Sequence, residues 1–444
     1  MIEGGTGAPT RHPLGWRDAD FHDRALLDAE MRRIFDICHG CRRCFNLCDS
    51  FPRLFDLIDD SSSGELDTVD SGGFKAVVDA CTLCDMCFMS KCPYVPPHEF
   101  NVDFPHLMLR FRAAEVRRNG IGLAARQLTK TDRNGRAARF VAPIANWASA
   151  TSNTVMRALL EKIAGVHRAA ALPRFHRKTF SARARRHAPA VNRAAPAFGR
   201  KAVLYATCFV EYNDPGIGEA AQAVLAHNGV ECEVVYPSCC GMPQLEHGDI
   251  EAVAARARTI SATLGAWIDK GYDVIALVPS CALMLKSEWP LIAPDDAGVR
   301  RLAAATRDIS EYVVDIARNE GLAEGLGRLE GGVALHIACH ARAQNMGQKA
   351  REMLELIPGA DIEVIERCSG HGGSWGVMKD NFEVALKLGK PVAQKARDSG
   401  KAFVASECPL AGAHIAQGIE RLDGEAKTAV HPIELFARAC GIAC

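Results

Sequence analysis

The chain reads Cys38-His-Gly-Cys41-Arg-Arg-Cys44-Phe-Asn-Leu-Cys48 and, further on, Cys81-Thr-Leu-Cys84-Asp-Met-Cys87-Phe-Met-Ser-Lys-Cys92-Pro93. Three thiolates at three-residue spacing are typical of loops that wrap an iron–sulfur cluster, because each turn of the chain presents another sulfur to a neighbouring iron. Structural zinc sites more often use two separated cysteine pairs. The two runs therefore predict a small helical ferredoxin-like module that binds two [4Fe–4S] clusters.

The composition narrows the class of protein. The chain has 444 residues, 18 cysteines and no net charge, and this length suffices for several domains with sizeable cores. Disulfide-rich proteins are usually short and secreted, and residues 1–20 lack the basic-then-apolar pattern of a signal peptide. No apolar run approaches the length of a membrane span. We therefore expect a cytoplasmic protein whose reduced cysteines bind metal.

Positive charge is concentrated in residues 101–200, which hold 20 Lys or Arg against 4 Asp or Glu. Three explanations stay open at this point. The segment can contact anionic lipid headgroups, with Phe140, Trp147 and Phe180 entering the interface. It can instead dock an acidic partner protein, or pair with the acidic remainder of the chain. Charge alone also permits nucleic-acid binding, but no binding motif accompanies it and we expect none.

After residue 200 the sequence alternates between short apolar runs and helical patterns. Short apolar runs predict strands at 202–206, 234–236, 274–278, 333–337, 362–365 and 402–405. Helical patterns lie between them at 218–227, 252–269, 344–357 and 382–397. Such alternation predicts an α/β fold with mainly parallel sheets covered by helices.

The cysteines reveal an internal repeat in this α/β region. Cys208, Cys239 and Cys281 have counterparts 131, 129 and 127 residues later, namely Cys339, Cys368 and Cys408. Each lies at or just beyond the end of a predicted strand, the edge at which open α/β sheets bind ligands. A duplicated metal-site module explains this order and spacing.

The motif Cys239-Cys240-Gly241-Met242-Pro243, between Cys208 and Pro279-Ser280-Cys281, resembles the CCG domain. That domain occurs in heterodisulfide reductases, glycolate oxidase iron–sulfur subunits and the C subunit of anaerobic glycerol-3-phosphate dehydrogenase. Two ferredoxin-type runs before two such domains resemble the last of these over residues 30–440. The domains we predict are a leader and helix (1–35), a two-cluster ferredoxin-like domain (36–100), a basic helical connector (101–200), a first CCG module (201–330) and a degenerate second one (331–444).

The resemblance also implies the ligand sets. One ferredoxin-type cluster takes Cys38, Cys41, Cys44 and Cys92, and the other takes Cys81, Cys84, Cys87 and Cys48. The first CCG module keeps four of the five family cysteines, which suffice for a third cluster: Cys208, Cys239, Cys240 and Cys281. The second keeps only Cys339, Cys368 and Cys408, because Ser369 and Ala411 replace the others. Either a neighbouring histidine completes this last ligand shell (His340, His371 or His414) or the site is vestigial.

The function implied is that of an iron–sulfur electron-transfer subunit of an oxidoreductase system. Its partner would be a flavoprotein dehydrogenase or a rubrerythrin-like acceptor, and the CCG site would exchange electrons with membrane quinone through residues 101–200, at the inner face of the cell membrane. The alternatives are a heterodisulfide reductase-like thiol/disulfide enzyme and a zinc-stabilised binding protein. No Ser-His-Asp order, phosphate loop or paired carboxylates stand out, so we expect an oxidoreductase component and assign no catalytic residue. Cys232 is expected to be a buried thiol, and Cys440 and Cys444 form either a free-thiol tail or a redox pair.

Overall fold

The N-terminal part of the chain is helical. The computed structural model describes residues 9–424 and 428–442. The first helices are α1 (Ala19–His22), α2 (Arg24–Cys41), α3 (Ser50–Asp59), α4 (Phe74–Ala80) and α5 (Met86–Ser90). Phe35 of α2 packs edge-on against Phe74 of α4, with ring centroids 5.0 Å apart and both side chains buried. Each buried ring contributes about 1.5–3 kcal/mol through the hydrophobic effect, which holds the two cysteine runs together.

Helix α2 extends beyond residue 35, where the predicted leader and helix end. It carries Cys38 and Cys41 in its last turns, and Arg42 ends it in a left-handed conformation (φ 52°). Between the two cysteine runs, Leu66 begins a short 3₁₀ turn and Val69 directly follows that turn, and both side chains are buried.

Residues 101–200 are largely helical, as predicted. The helices are α6 (Phe104–Asn119), α7 (Leu123–Leu128), α8 (Thr131–Phe140), α9 (Ala142–Ser149), α10 (Thr154–Ala164) and α11 (Phe180–Arg186). The expectation that Phe180 reaches a lipid interface is wrong, because its side chain is fully buried. It lies so close to the helix carrying Gly218 that a β-carbon there would come within 2.7 Å of the Phe180 ring.

The α/β region forms two four-stranded sheets in which every pairing is parallel. The strands are β1 (Lys201–Tyr205), β2 (Glu231–Val235), β3 (Asp273–Ala276), β4 (Thr306–Asp308), β5 (Val333–His336), β6 (Ile362–Ile365), β7 (Phe403–Ser406) and β8 (Ala429–Val430). The orders are β2-β1-β3-β4 and β6-β5-β7-β8, so the second sheet repeats the first. The six predicted strands are confirmed within three residues, whereas β4 and β8 were not predicted.

Helices cover both sheets. Around the first they are α12 (Cys208–Tyr212), α13 (Pro215–His227), α14 (Met242–Glu246), α15 (Ile250–Ile268), α16 (Pro279–Leu283), α17 (Trp289–Ile292), α18 (Ala297–Ala305) and α19 (Ile309–Asn319). A π-helical turn, Met284–Glu288, joins α16 to α17. Around the second they are α20 (Cys339–Ala343), α21 (Lys349–Glu355), α22 (Phe382–Asp398), α23 (Pro409–Asp423) and α24 (Pro432–Ala439). The helix predicted at 344–357 is shorter, because Asn345 and Gly347 take positive φ and break it.

The two sheets meet through the helices that follow their cysteine-bearing strands. Helix α16 of the first packs against α20 of the second. Ser280 Oγ lies 2.8 Å from His340 Nδ1, and the amide of Gln344 donates to the carbonyl of Pro279 at 3.4 Å. The carboxyl-terminal edges of both sheets therefore face a common seam, and the N-terminal helical part lies against it.

Candidate metal centres

Four cysteines from the two runs line one cleft: Cys38, Cys41, Cys44 and Cys92. The other walls are mainly apolar and include Phe51, Phe55 and Val102. Cys38 and Cys41 share a face of α2 because residues three apart lie one above the other. The left-handed Arg42 then turns the chain back so that Cys44 points to the same place. Burial raises the pKa of Cys44 to about 12, and neighbouring thiols add to the effect.

A second set is buried more deeply. It consists of Cys48, Cys81, Cys84 and Cys87, each of whose thiols lies close to others of the set. Leu83 and Asp85 both have left-handed φ (50° and 63°), which wraps the chain around Cys84. Such conformations cost of order 1–3 kcal/mol each and persist at functional sites. Burial raises the pKa of Cys87 well above its ordinary value, and Cys84 and Cys81 raise it further.

A buried ion network fastens this second set to the first sheet domain. The Arg11 guanidinium donates to Asp85 at 2.9 Å, to Asp103 at 2.8 Å and to Glu288 at 3.2 Å. His106 Nε2 lies 3.2 Å from Glu288. Burial alone would lower the pKa of Arg11, but the three carboxylates outweigh it and raise that pKa well above the usual value. Sequence reasoning missed Arg11, since nothing near it in the chain indicates its partners.

The segment around Arg11 makes two further contacts with the same domain. The amide of Leu14 donates to the carbonyl of Leu291 at 3.0 Å, and Trp16 Nε1 donates to the carbonyl of Ile292 at 2.8 Å. Residues 10–16 thus form a strap, which we call the N-terminal strap, between the ferredoxin-like part and α17.

A third set lies at the carboxyl-terminal edge of the first sheet: Cys208, Cys239, Cys240 and Cys281. Each follows one of the parallel strands β1, β2 and β3, which is why residues far apart in sequence meet. Cys240 Sγ and Cys281 Sγ are 3.3 Å apart. Hydrogen bonding with Cys239 and burial raise the pKa of Cys208, while hydrogen bonds from Cys208 and Cys240 lower the pKa of Cys239.

Helix α8 closes this third set from outside. The carboxylate of Asp132 accepts hydrogen bonds from the Cys239 amide at 2.9 Å and from Arg256 at 2.8 Å, and also from the hydroxyl of Tyr236. Gly135 of α8 lies against Tyr212, where a β-carbon would come within 2.3 Å of the ring. The basic connector therefore packs directly on the cysteine loop, a contact that the sequence did not reveal.

The second sheet brings together fewer thiols. Cys339 contacts Cys368, and hydrogen bonds from Cys339 and from the Gly370 amide hold the pKa of Cys368 at about 7, below its ordinary value. Cys408 is the N-terminal cap of α23 and lies on the side that faces Cys281.

The three histidines of this region differ in their environment. His340 hydrogen-bonds away from Cys368, to Ser280 and to the carbonyl of Leu83. His371 and His414 lie with ring centroids 6.1 Å apart, and the Nε2 atom of each is buried without a partner. Burial lowers the pKa of both, that of His371 to about 3, so both rings are neutral at pH 7.

The three four-cysteine sets fit iron–sulfur clusters by the chemistry of their donors. Burial raises the pKa of Cys38, Cys48 and Cys87, and repulsion from neighbouring thiolates raises it further. Iron cations remove that penalty by binding the deprotonated sulfur. Among residues 9–424 and 428–442, no three Cys, His, Asp or Glu side chains are arranged to hold a single metal ion.

Two remaining cysteines stand apart from these sets. Cys232 lies in β2 and is half-buried, with its thiol 3.6 Å from the carbonyl of Val230. Cys440 is half-buried at the end of α24, and burial raises its pKa to about 11. Cys444 lies outside the described residues.

Comparison with known proteins agrees with this geometry. The cysteine-rich domain named CCG matches residues 202–286 and again 333–416. The chain carries two CCG domains. Each match begins in the first strand of a sheet and covers the cysteines and the first three strands of that sheet in chain order.

Three relatives share part of the chain. The C subunit of the anaerobic glycerol-3-phosphate dehydrogenase of Escherichia coli (strain K12) is 28% identical over 320 residues, which cover 70% of this chain and 76% of the relative. The B subunit of the CoM/CoB fumarate reductase of Methanothermobacter marburgensis is 28% identical over 229 residues, 50% of this chain and 43% of its own length. Lactate utilization protein A of Geobacillus kaustophilus is 28% identical over 188 residues, 40% of this chain and 74% of its own.

Exposed apolar side chains are concentrated in the helices α7 to α10 and the residues between them. The large ones are 47–75% exposed: Leu123, Phe140, Val141, Ile144, Trp147, Val155, Leu159 and Ile163. Exposed basic residues accompany them: Arg126, Arg133, Arg136 and Lys162. We call this set the apolar-basic face. In the described part of the chain, no helix is long and apolar enough to cross a membrane.

Not all of the connector's positive charge is available to a partner. Arg157 is buried and donates to the carbonyls of His167, Arg168 and Ala170. Arg183 pairs with Glu219 at 3.1 Å. Pairing with the chain's own groups thus explains part of the basic composition, and the apolar-basic face holds four of the basic residues that stay exposed.

Proposed function

We propose that this protein is an iron–sulfur electron-transfer subunit of an oxidoreductase system that binds three [4Fe–4S] clusters. The ligands are Cys38, Cys41, Cys44 and Cys92 for the first, Cys48, Cys81, Cys84 and Cys87 for the second, and Cys208, Cys239, Cys240 and Cys281 for the third. The observation that carries the proposal is the convergence of three separate sets of four cysteines, each enclosed by apolar side chains. The two CCG domains and the oxidoreductase subunits among the relatives support it.

The surroundings of each cysteine set determine how its cluster would exchange electrons. Bound clusters supply one-electron exchange at potentials that burial, charge and hydrogen bonds to sulfur adjust. The cysteines of the first set are all partly exposed and line a cleft, whereas most cysteines of the other two sets are buried: Cys81, Cys87, Cys239, Cys240 and Cys281. A redox partner protein therefore has its shortest approach at the first set. Helix α8 packs on the loop of the third set, where Asp132 accepts a hydrogen bond from the Cys239 amide.

Iron and acid-labile sulfide per chain, measured on protein purified without oxygen, test this proposal. About 12 iron atoms are expected, four for each cluster. The Cys281→Ala variant should lose about four of them, and the matched control Cys232→Ala should lose none. About 8 iron atoms in the unmodified protein would remove the third cluster, and stoichiometric zinc with no iron would overturn electron transfer altogether.

We propose further that the apolar-basic face rests on an anionic membrane surface, which would bring the third set close to membrane quinone. Amphipathic helices with basic flanks bind at the interface of anionic bilayers, and α8 belongs both to this face and to the lid over Cys239. The same helix would thus determine both membrane contact and access to the third set. An acidic partner protein is the competing occupant of the face.

Vesicle flotation tests the membrane contact. We expect binding to vesicles that contain anionic lipid and weak binding to zwitterionic ones, with a loss at high salt. Because burying one large apolar side chain is worth about 1.5–3 kcal/mol, the double variant Phe140→Ser/Trp147→Ser should bind at least tenfold more weakly. Phe198→Ser is the control, since Phe198 is 53% exposed but lies outside the face. Equal flotation of both variants would refute the assignment.

A further inference from the structure

The imidazole ring of His340, on α20 of the second CCG module, lies between two other cysteine loops. Its Nε2 atom is 3.3 Å from the carbonyl oxygen of Leu83, the residue before Cys84. Since a carbonyl oxygen only accepts, Nε2 carries the ring proton and donates, and Nδ1 accepts from the Ser280 hydroxyl at 2.8 Å. Ser280 directly precedes Cys281. One ring therefore ties a ligand loop of the second set to a ligand loop of the third.

Apolar packing and a further hydrogen bond hold the same elements together. Helix α20 packs against α16 of the first CCG module and against α5 of the ferredoxin-like part. One buried apolar cluster takes a side chain from each of the three helices: Met86 from α5, Leu283 from α16 and Ala343 from α20. The amide of Gln344 also donates to the carbonyl of Pro279 at 3.4 Å. The hydrogen bonds of the ring are therefore part of a packed junction between three parts of the chain.

The hydrogen bonds of His340 leave neither of its ring nitrogens for a metal. Nδ1 is engaged by Ser280 and Nε2 by Leu83. By contrast, the Nε2 atoms of His371 and His414 are buried without a partner. His340 is thus distinguished from the other two histidines of this region by contacts that join parts of the chain and by the lack of a free donor atom.

Resting on the proposed function, we propose that His340 is a positioning residue for electron transfer between the second and third clusters. It fixes the loop before Cys84 against the loop before Cys281, and the two clusters exchange electrons across this junction. One electron passes at a time, one cluster being oxidised as the other is reduced, and no bond forms or breaks. The second CCG module then serves as a scaffold, which explains why it keeps a complete sheet although Ser369 and Ala411 replace two family cysteines.

Electron paramagnetic resonance of the fully reduced, full-length protein tests the proposal. Two reduced clusters at a fixed short separation interact magnetically, and the interaction falls steeply as they move apart. We expect His340→Ala to lose the part of this interaction that Cys281→Ala loses together with the third cluster. His340→Gln keeps a donor near the position of Nε2 and should restore part of it. His336→Ala is the matched control, since His336 also contacts a serine hydroxyl and a backbone carbonyl, both at 3.0 Å, but inside the second module alone.

Amide hydrogen exchange measures the opening of the junction independently of the cluster spectra. Because His340→Ala removes two hydrogen bonds, exchange in residues 82–84 and 280–283 should quicken about tenfold or more. Ser280→Ala removes only one of the bonds and should give a smaller increase in the same residues, which keeps the test available if His340→Ala does not fold. His336→Ala should leave the exchange of both loops unchanged.

Iron content separates the competing outcomes. His340→Ala should retain the iron of the unmodified protein, and a loss of about four atoms would show that His340 supports a ligand shell instead of the junction. With full iron, the inference is overturned by an unchanged magnetic interaction, by unchanged exchange in both loops, or by equal effects of His340→Ala and His336→Ala. Each of these results leaves the three-cluster proposal intact. About 8 iron atoms in the unmodified protein would remove the third cluster and overturn both.

Discussion

Replacing Arg11 by glutamine should destabilise the protein strongly at neutral pH. The Arg11 side chain is 12% exposed, and its partners Asp85 and Glu288 are 6% and 4% exposed. Removing one partner of a buried ion pair costs about 3–5 kcal/mol, because the remaining charge stays uncompensated. His106 lies between Asp103 and Glu288, and although burial lowers its pKa these carboxylates outweigh that effect and raise it, which favours the protonated form. We therefore expect the lower end of that range, about 3 kcal/mol.

The pH dependence of this loss has a definite sign. Burial alone would raise the pKa of Glu288 and of Asp103, but His106 and Arg11 outweigh it and lower both. A carboxyl with a lowered pKa contributes stability above its unfolded pKa, and that contribution disappears as the pH falls through the folded pKa. The deficit of the Arg11→Gln variant should therefore be largest near pH 7 and should shrink as the pH falls below about 4.

Urea unfolding under anaerobic conditions, followed by tryptophan fluorescence, measures the effect as a shift of the midpoint. Arg17→Gln is the matched control, since Arg17 directly follows the strap but is exposed and lies over the Trp16 ring, at 4.6 Å. It should change the free energy of unfolding by less than about 0.5 kcal/mol. An Arg11→Gln variant as stable as this control, or a deficit that does not vary with pH, would refute the reasoning.

Three further substitutions test other parts of the structure. Asp132→Asn removes the carboxylate that accepts from both the Cys239 amide and Arg256, so purified protein should lose about four iron atoms per chain and retain the other eight or so. Gly135→Ala places a β-carbon 2.3 Å from the Tyr212 ring and should lower the free energy of unfolding by about 1–3 kcal/mol, measured as a urea midpoint. Burial raises the pKa of Glu246 to about 7. A carboxyl with a raised pKa lowers the free energy of unfolding as the pH rises from about 5 to 8, because it then has to ionise inside the protein. The free energy of unfolding of the Glu246→Gln variant should therefore increase by of order 1–3 kcal/mol relative to the unmodified protein over that interval.

The elements that could be predicted from the sequence are those with a strong local pattern. The strands β1, β5 and β6 are short apolar runs, and the cysteines that follow the strands marked the functional edge of each sheet. Strands β4 and β8 were missed because they are two or three residues long, and β4 reads Thr-Arg-Asp, which carries no apolar signal. Their pairing depends on the neighbouring strands and not on their own sequence.

The candidate sites likewise contain some contacts that a local sequence pattern predicts and others that it does not. The convergence of each cysteine set follows from spacing and from parallel topology, both of which are visible in the sequence. The partners of Arg11 lie 74, 92 and 277 residues away, and the burial of Phe180 depends on the absence of a side chain at Gly218. Such contacts are decided by the packing of distant elements, and no local pattern indicates them.

The burial of the second and third cysteine sets has a consequence for how the protein is made. Five of the eight cysteines of these two sets are buried, so the proposed clusters have to be inserted before the loops that carry these cysteines pack together. Metal binding then contributes directly to folding. Cells short of iron would accumulate open chains with exposed cysteines, which are substrates for oxidation and proteolysis, and the amount of folded protein would follow the iron supply.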